Sequence, residues 1–154
     1  MAKRNSNSQR FQSSPRRQPA RPPEGDSRKV ASICLGLVVL VVWAFWPSVS
    51  NDFVNLDDPL YVCENVHVLS GLTWQGIGWA FSSLDGGFWH PLTWLSLMMD
   101  CQTFGLRAVG HHLVSLLLHT TTTLLLFLAL QRLTGASWRS AAVAVLFALH
   151  PLHV

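Results

Sequence analysis

Asp57 and Asp58 stand side by side in "NLDDPLY" (residues 55–61), in a chain of 154 residues that holds only eight acids. Three kinds of chemistry suit such a pair. Neighbouring carboxylates repel one another and so titrate apart, which leaves one better placed to act as a base. They can also bind a divalent cation. The third role is architectural: Asp side chains bond nearby backbone N–H groups and Pro59 fixes the following φ, so the stretch also reads as a turn. The residues alone leave these alternatives open.

The histidines form a second constellation: His90, His111, His112, His119, His150 and His153, with His67 apart. His112 and His119 are seven residues apart and share one helical face with Ser115 between them. A neutral histidine inside a membrane helix usually hydrogen-bonds a neighbouring helix. No HxxxH or HExxH pair gives a metal pattern. Of the three cysteines, Cys34 falls in an apolar run. Cys63 and Cys101 can pair only if both face an oxidising compartment.

The elements that must carry these groups follow from composition. Apolar residues make up 49% of the chain and charged residues 12%, about half the share usual in soluble domains. Eight of the eleven Lys and Arg lie in residues 1–29, a segment rich in Ser, Pro, Asn and Gln that is expected to be a disordered basic tail. No aromatic interleaving supports nucleic-acid binding there. Three apolar runs follow: residues 30–48, 108–130 and 138–154. The first two have the length of a bilayer core, about 20 helical residues. The alternative for the first run, a cleaved signal peptide with Ser48 and Ser50 before the cut, is disfavoured by its length and by the bulky residues at its end. Trp43 and Trp46 sit where an interfacial aromatic belt is expected. Thr134-Gly135 marks the end of the second run, and Pro151 is expected to kink or end the third.

Charge then orients the chain. With the N-terminus in the cytosol, ten of the eleven basic residues lie inside, with Arg107 alone outside, and six of the eight acids lie outside. Asp57 and Asp58 thus face away from the cytosol, in an outer loop of residues 49–107. That loop is too long for a simple connection and rather apolar. In "GLTWQGIGWAFSSL", Trp74, Ile77, Gly78 and Phe81 fall on one helical face behind a Thr73 N-cap. "HPLTWLSLMMDCQTFGL" places Leu92, Leu95 and Met99 similarly, with Trp94 and Met98 beside them. Both read as amphipathic helices lying at the membrane interface. The expected fold is therefore all-α and integral to the membrane: about three transmembrane helices, the third cut short, with two interfacial helices outside.

Taken in order, "FVNLDDPLYVCEN", "GLTWQGIGWAF", "FWHPLTWLSLMMDCQTFGLRAVGHHLVSLLLHTTTTLLLFLALQRLTG" and "LFALHPLHV" resemble the N-terminal membrane region of the transmembrane and tetratricopeptide repeat-containing O-mannosyltransferases, in the form of a bacterial relative. That family belongs to the GT-C class of glycosyltransferases. The resemblance covers roughly residues 30–154. It implies transfer of a sugar from a polyprenyl-phosphate carrier to an acceptor hydroxyl outside the cytosol, of protein Ser or Thr, at a bacterial inner membrane. It implies too that Asp57 or Asp58 serves as the general base or, as in some members, holds a divalent cation. The leaving lipid phosphate then needs cationic or hydrogen-bonding partners. Arg107, His90, His150 and His153 are the outer-side candidates.

The chain departs from that family in two ways. It carries no tetratricopeptide repeat, and the acid that commonly follows "HPLHV" is missing. It is thus expected to be a fragment, inactive by itself. The alternative from another class is a small non-enzymatic membrane protein whose outer loop binds a partner.

Overall fold

The computed structural model describes residues 24–54 and 56–150. The basic tail before Glu24, together with Pro151 and His153, lies outside the described residues.

Every regular element among the described residues is helical, in the order α1 (Glu24–Phe45), α2 (Val66–Leu69), α3 (Trp74–Ser82), α4 (Pro91–Phe104), α5 (Ala108–Thr134) and α6 (Ser137–Ala148). Short turns at Trp46–Ser50, Pro59–Cys63 and Asp85–Gly87 link them. α1 begins six residues before the apolar run, so Arg28 and Lys29 are helical rather than part of a disordered tail. No proline separates Glu24 from Val30, and a helix nucleated by the apolar run extends back at little cost. Its far end comes at Phe45, where Pro47 enters a 3-10 turn.

Two stretches are long and apolar enough to cross a membrane, Ser27–Ser50 and Ala108–Thr134, while Ser137–Ala148 is apolar but shorter. At 1.5 Å per residue the 27 residues of α5 span about 40 Å, more than the ~30 Å of a hydrocarbon core. Leu35, Val39, Leu117 and Leu125 on these helices are exposed, so their outward faces suit lipid better than water. The run of four threonines in α5 fits the same setting. Thr120 to Thr123 each donate their hydroxyl to the carbonyl four residues back, at 2.7 to 2.9 Å, and so carry no unsatisfied donor.

Small residues pack the helical seam. α6 buries Ser137, Ser140, Ala141, Ala144 and Ala148, which lets its backbone approach its neighbours closely. Leu37 and Phe127 close one layer of the seam with Ala141 and Ala144. Val41, Val49, Leu116 and Ala148 form the next. Gly135 ends α5 in the left-handed conformation at φ 66°, as Thr134-Gly135 implied.

The segment between the two long apolar helices, residues 51–107, has a core of its own: Val62, Val68, Ala80, Trp94, Met98 and Cys101. α3 turns Gly76 and Ala80 to this core, and α4 turns Pro91, Trp94, Met98 and Cys101. The stripes that carry Trp74, Phe81, Leu92 and Met99 are exposed, as amphipathic helices lying at a membrane interface would leave them. Both helices are apolar on more than one side, so periodicity alone could not decide which side meets protein. The Thr73 cap is present, its hydroxyl oxygen accepting from Gly76 N at 3.0 Å. Cys63 and Cys101 share this core as free thiols, and burial pushes both above the ordinary thiol range.

Candidate functional site

Past α1 and its 3-10 turn the chain runs without regular structure through residues 51–54 and then turns at Leu56-Asp57. The two aspartates divide the work of that turn. Asp58 Oδ2 accepts from Val54 N at 2.7 Å, a charge-assisted bond that braces the turn. Asp57 contributes its backbone, its carbonyl accepting from Tyr61 N at 3.0 Å, and its side chain is exposed. Pro59 then starts one π-type turn, closed by Glu64 N donating to Pro59 O at 2.9 Å. Asp58 is therefore held in place by the turn, and Asp57 presents a carboxylate to the surroundings.

The turn is anchored through Tyr61. Its ring stacks on Trp94 at 5.1 Å and on His90 at 5.7 Å, and His90 packs on Trp94 at 4.9 Å. Trp79 lies 5.0 Å from Trp94 and stacks in turn on His67 at 4.5 Å. His90 is thus joined to the aspartate turn, but by ring packing, with its Nε2 buried and lacking a hydrogen-bond partner. Arg107 sits exposed as the residue before α5, and His150 sits exposed just beyond α6. The contacts that tie Asp57, Asp58, Tyr61 and His90 together involve neither of them. No group of three or more His, Cys, Asp or Glu placed to hold a metal occurs among the described residues.

The structure also brings Asp100, which the pattern of the sequence did not single out, to His111 of the histidine constellation. Asp100 on α4 and His111 on α5 are both buried, with Oδ2 and Nδ1 3.9 Å apart. His111 Nε2 lies 3.0 Å from the Gly105 carbonyl oxygen, which can only accept, so that nitrogen carries the proton. Phe53, four residues before Asp57, sets its ring edgewise on His111 at 5.3 Å. Burial lifts the Asp100 carboxyl above its ordinary range, and the nearby His111 pulls it partly back. The available signal was a single acid inside the apolar run "LSLMMDCQTF".

The His112–Ser115–His119 face lines a cavity of about 420 Å³ with Phe45, Ser48, Asn51 and Leu116. His119 reaches across to α6, with Nε2 3.0 Å from Ala148 O, the helix-to-helix bond expected of a histidine in such a helix. Its ring also packs edgewise on Phe45 at 5.5 Å and face-on against Phe147 at 5.8 Å. His112 Nε2 is buried without a hydrogen-bond partner.

Comparison with known proteins gives two partial similarities. The chain is 37% identical over 67 residues to "Protein O-mannosyl-transferase Tmtc1" of Drosophila melanogaster, which covers 44% of this chain and 8% of that protein. It is 33% identical over 105 residues to "Protein O-mannosyl-transferase Tmtc2" of the same organism, covering 63% of this chain and 11% of that protein. The match therefore takes in about a tenth of the length of these curated relatives. No family model matches the chain, and no solved structure gives a significant match. The similarity supports a relation to the O-mannosyltransferase family and no more than that.

Proposed function

We propose that the chain forms the first membrane segment and outer loop of a GT-C-class glycosyltransferase of the O-mannosyltransferase type. In this reading the enzyme moves a sugar from a polyprenyl-phosphate carrier to a protein Ser or Thr hydroxyl on the outer face of a bacterial inner membrane. α1 and α5 cross the bilayer with the N-terminus in the cytosol, and the exposed stripes of α3 and α4 rest on its outer surface.

The observation that carries the reading is the division of labour at Asp57-Asp58. A carboxylate that is to act as a base must be both fixed and reachable. Asp58 fixes the turn through Val54 N at 2.7 Å, and Asp57 beside it is exposed. An alcohol is a weak nucleophile, and a positioned carboxylate that takes its proton during attack contributes on the order of 10²–10⁴ in rate. Asp57 is the base in this proposal and Asp58 its positioning neighbour. Arg107, His90, His150 and His153 remain the outer-side groups proposed to meet the departing phosphate. A divalent cation, if used, would need ligands beyond the two aspartates.

The test is sugar transfer from a polyprenyl-phosphate donor to a Ser/Thr peptide, in membranes holding the product of the complete reading frame. Asp57→Asn is expected to lower turnover at least about a hundredfold, with donor binding unchanged. Wild-type turnover in both Asp57→Asn and Asp58→Asn would remove the pair from the mechanism.

A further inference from the structure

We propose that the groove between α1 and α6 holds one anionic phospholipid, with its phosphate at Lys29 and one acyl chain running along the apolar floor toward Leu40. The proposal goes beyond the transfer reaction and rests on the function proposed above only for the crossing of the bilayer by α1.

The mouth of the groove carries the charge. Lys29 stands at one end of the lining, partly buried, with its Nζ 5.5 Å from the ring centroid of Trp138 on α6. The ring quadrupole holds the cation there, while the apolar stem of the side chain lies along the groove and the ammonium stays at the polar boundary. Ser32, the other polar side chain of the lining, already donates its hydroxyl to Arg28 O at 3.0 Å. Among the described residues no acid lines the groove. Glu24 and Asp26 open α1, but Arg28, Lys29, Arg132 and Arg139 outnumber them at this end of the helices. The mouth therefore suits an anion.

The floor suits a hydrocarbon chain. Beyond Lys29, the residues Ile33, Gly36 and Leu40 of α1 face Ala141 and Val145 of α6 around a space of about 530 Å³. Leu37 and Ala141 also belong to the packed layer around Phe127, so the fold fixes the floor before anything enters. From residue 29 to residue 40 the helix rises about 16 Å. One leaflet of a ~30 Å hydrocarbon core is about 15 Å deep, so the groove runs from the headgroup level to the midplane. Gly36 keeps its middle open, since a Cβ built there meets nothing within 4 Å.

The charge also separates a lipid from a protein occupant. A second helix, about 10 Å across with its side chains, would cover Lys29 and would have to bring an acid to the mouth to offset a buried ammonium. A phospholipid carries its phosphate at that depth already. Anionic and zwitterionic lipids share the tail, so Lys29 is what sets the preference between them.

The test is native mass spectrometry of the detergent-solubilised product of the complete reading frame, offered phosphatidylglycerol and phosphatidylcholine with matched chains. One phosphatidylglycerol is expected to stay bound, preferred about fivefold or more over phosphatidylcholine, as one lysine near an anionic headgroup implies. Lys29→Gln should bring the preference to parity, and Lys29→Arg, which keeps the charge over Trp138, should retain it. Arg139→Gln changes a basic residue at the same end but outside the groove, and should leave the preference as it was. Gly36→Leu fills the floor and should weaken retention of both lipids about tenfold. Its melting temperature should not fall, because the added side chain starts in open space and leucine is the better helix former. Equal retention of the two lipids by the wild type, or a preference that survives Lys29→Gln, would overturn the proposal. An equal loss in Arg139→Gln would do the same, by assigning the preference to the charged end as a whole. Unchanged lipid retention with a lower melting temperature in Gly36→Leu would show that another helix fills the groove. A carbonate wash of the membranes keeps the two proposals apart. Protein that resists the wash but shows no lipid preference removes only the groove assignment, whereas release by the wash removes the crossing of α1 and the groove with it. Wild-type turnover in Asp57→Asn removes the role of that residue and leaves the groove standing.

Discussion

Asp100 and His111 face each other across the junction of α4 and α5, with Oδ2 and Nδ1 3.9 Å apart and both side chains buried. The relationship ties the segment of residues 51–107, which carries the aspartate turn, to the first turns of a helix long enough to span a bilayer. Burial raises the Asp100 carboxyl above its ordinary value of 3.8, with His111 opposing the shift. The folded protein thus holds the Asp100 proton more tightly than the unfolded chain does. This contribution to stability is complete below the unfolded value and is lost as pH rises through the raised folded value. Asp100→Asn removes the titrating group and keeps the shape. The expected result is a wild-type melting temperature, in detergent, that carries a downward component as pH climbs from about 4 toward neutrality, and a flatter profile in the variant. Identical profiles would show that the pair does not titrate with folding.

Much of the architecture was legible in the sequence, because the strongest signals were long and redundant. The apolar run at 108–130 gave α5 its starting residue, Thr73 gave the cap of α3, and Thr134-Gly135 gave the end of α5. The inward faces of α3 and α4 were not legible. Trp74 and Trp79 sit on different sides of one nine-residue helix, and only the tertiary partners decide that Trp79 packs on Trp94 while Trp74 is left 91% exposed. Asp58 was legible as a turn residue, since Asx bonds and a following proline act locally. Its link to His90 through Tyr61 was not, because it depends on rings about 30 residues apart in the chain. The cavity beside His112 was half legible: spacing put His112, Ser115 and His119 on one face, but nothing local placed Phe45, Ser48 and Asn51 opposite them.

The Tyr61 stack makes the aspartate turn sensitive to a distant glycine. Gly86 adopts φ 76°, and a Cβ built there would lie 3.0 Å from Tyr61 Cζ. Gly86→Ala therefore adds backbone strain and pushes on the ring that anchors the turn. The expected cost is about 1–3 kcal/mol in stability. Gly87 also has positive φ but open space around it, so Gly87→Ala isolates the strain part. A larger loss of sugar transfer in Gly86→Ala than in Gly87→Ala, measured in the same membranes, would reveal the push on Tyr61. Equal effects would mean that the ring yields without disturbing the turn.

His119 makes a separate demand on the helical seam. Its Nε2 bond to Ala148 O and its ring contacts with Phe45 and Phe147 join α1, α5 and α6 at one level. His119→Leu keeps much of the packing but strands the Ala148 carbonyl. A buried acceptor left unmet costs about 1–3 kcal/mol, so the melting temperature in detergent should fall. His119→Gln, which can still donate, should recover part of the loss. Equal losses in the two variants would assign the stabilisation to ring packing instead of the hydrogen bond.

The crossing of α4 and α5 rests on a fit between Gly110 and Phe104. A Cβ at Gly110 would overlap the Phe104 ring, so glycine is what lets the end of α4 nest against the start of α5. Gly110→Ala is expected to destabilise by about 1–3 kcal/mol through overpacking, even though alanine is the better helix former. Phe104→Ala alone should also destabilise, because it empties the space the ring fills. Combining them should cost less than the sum, since alanine at 110 occupies part of the vacated volume, and residues in contact couple by about 0.5–3 kcal/mol. A double-mutant cycle read by urea or thermal unfolding of the detergent-solubilised protein measures that coupling. Strict additivity would mean that the two helices separate in the variants and that the contact does not set the position of residues 51–107. A favourable coupling would identify Gly110 as the fulcrum on which the aspartate turn is held over α5.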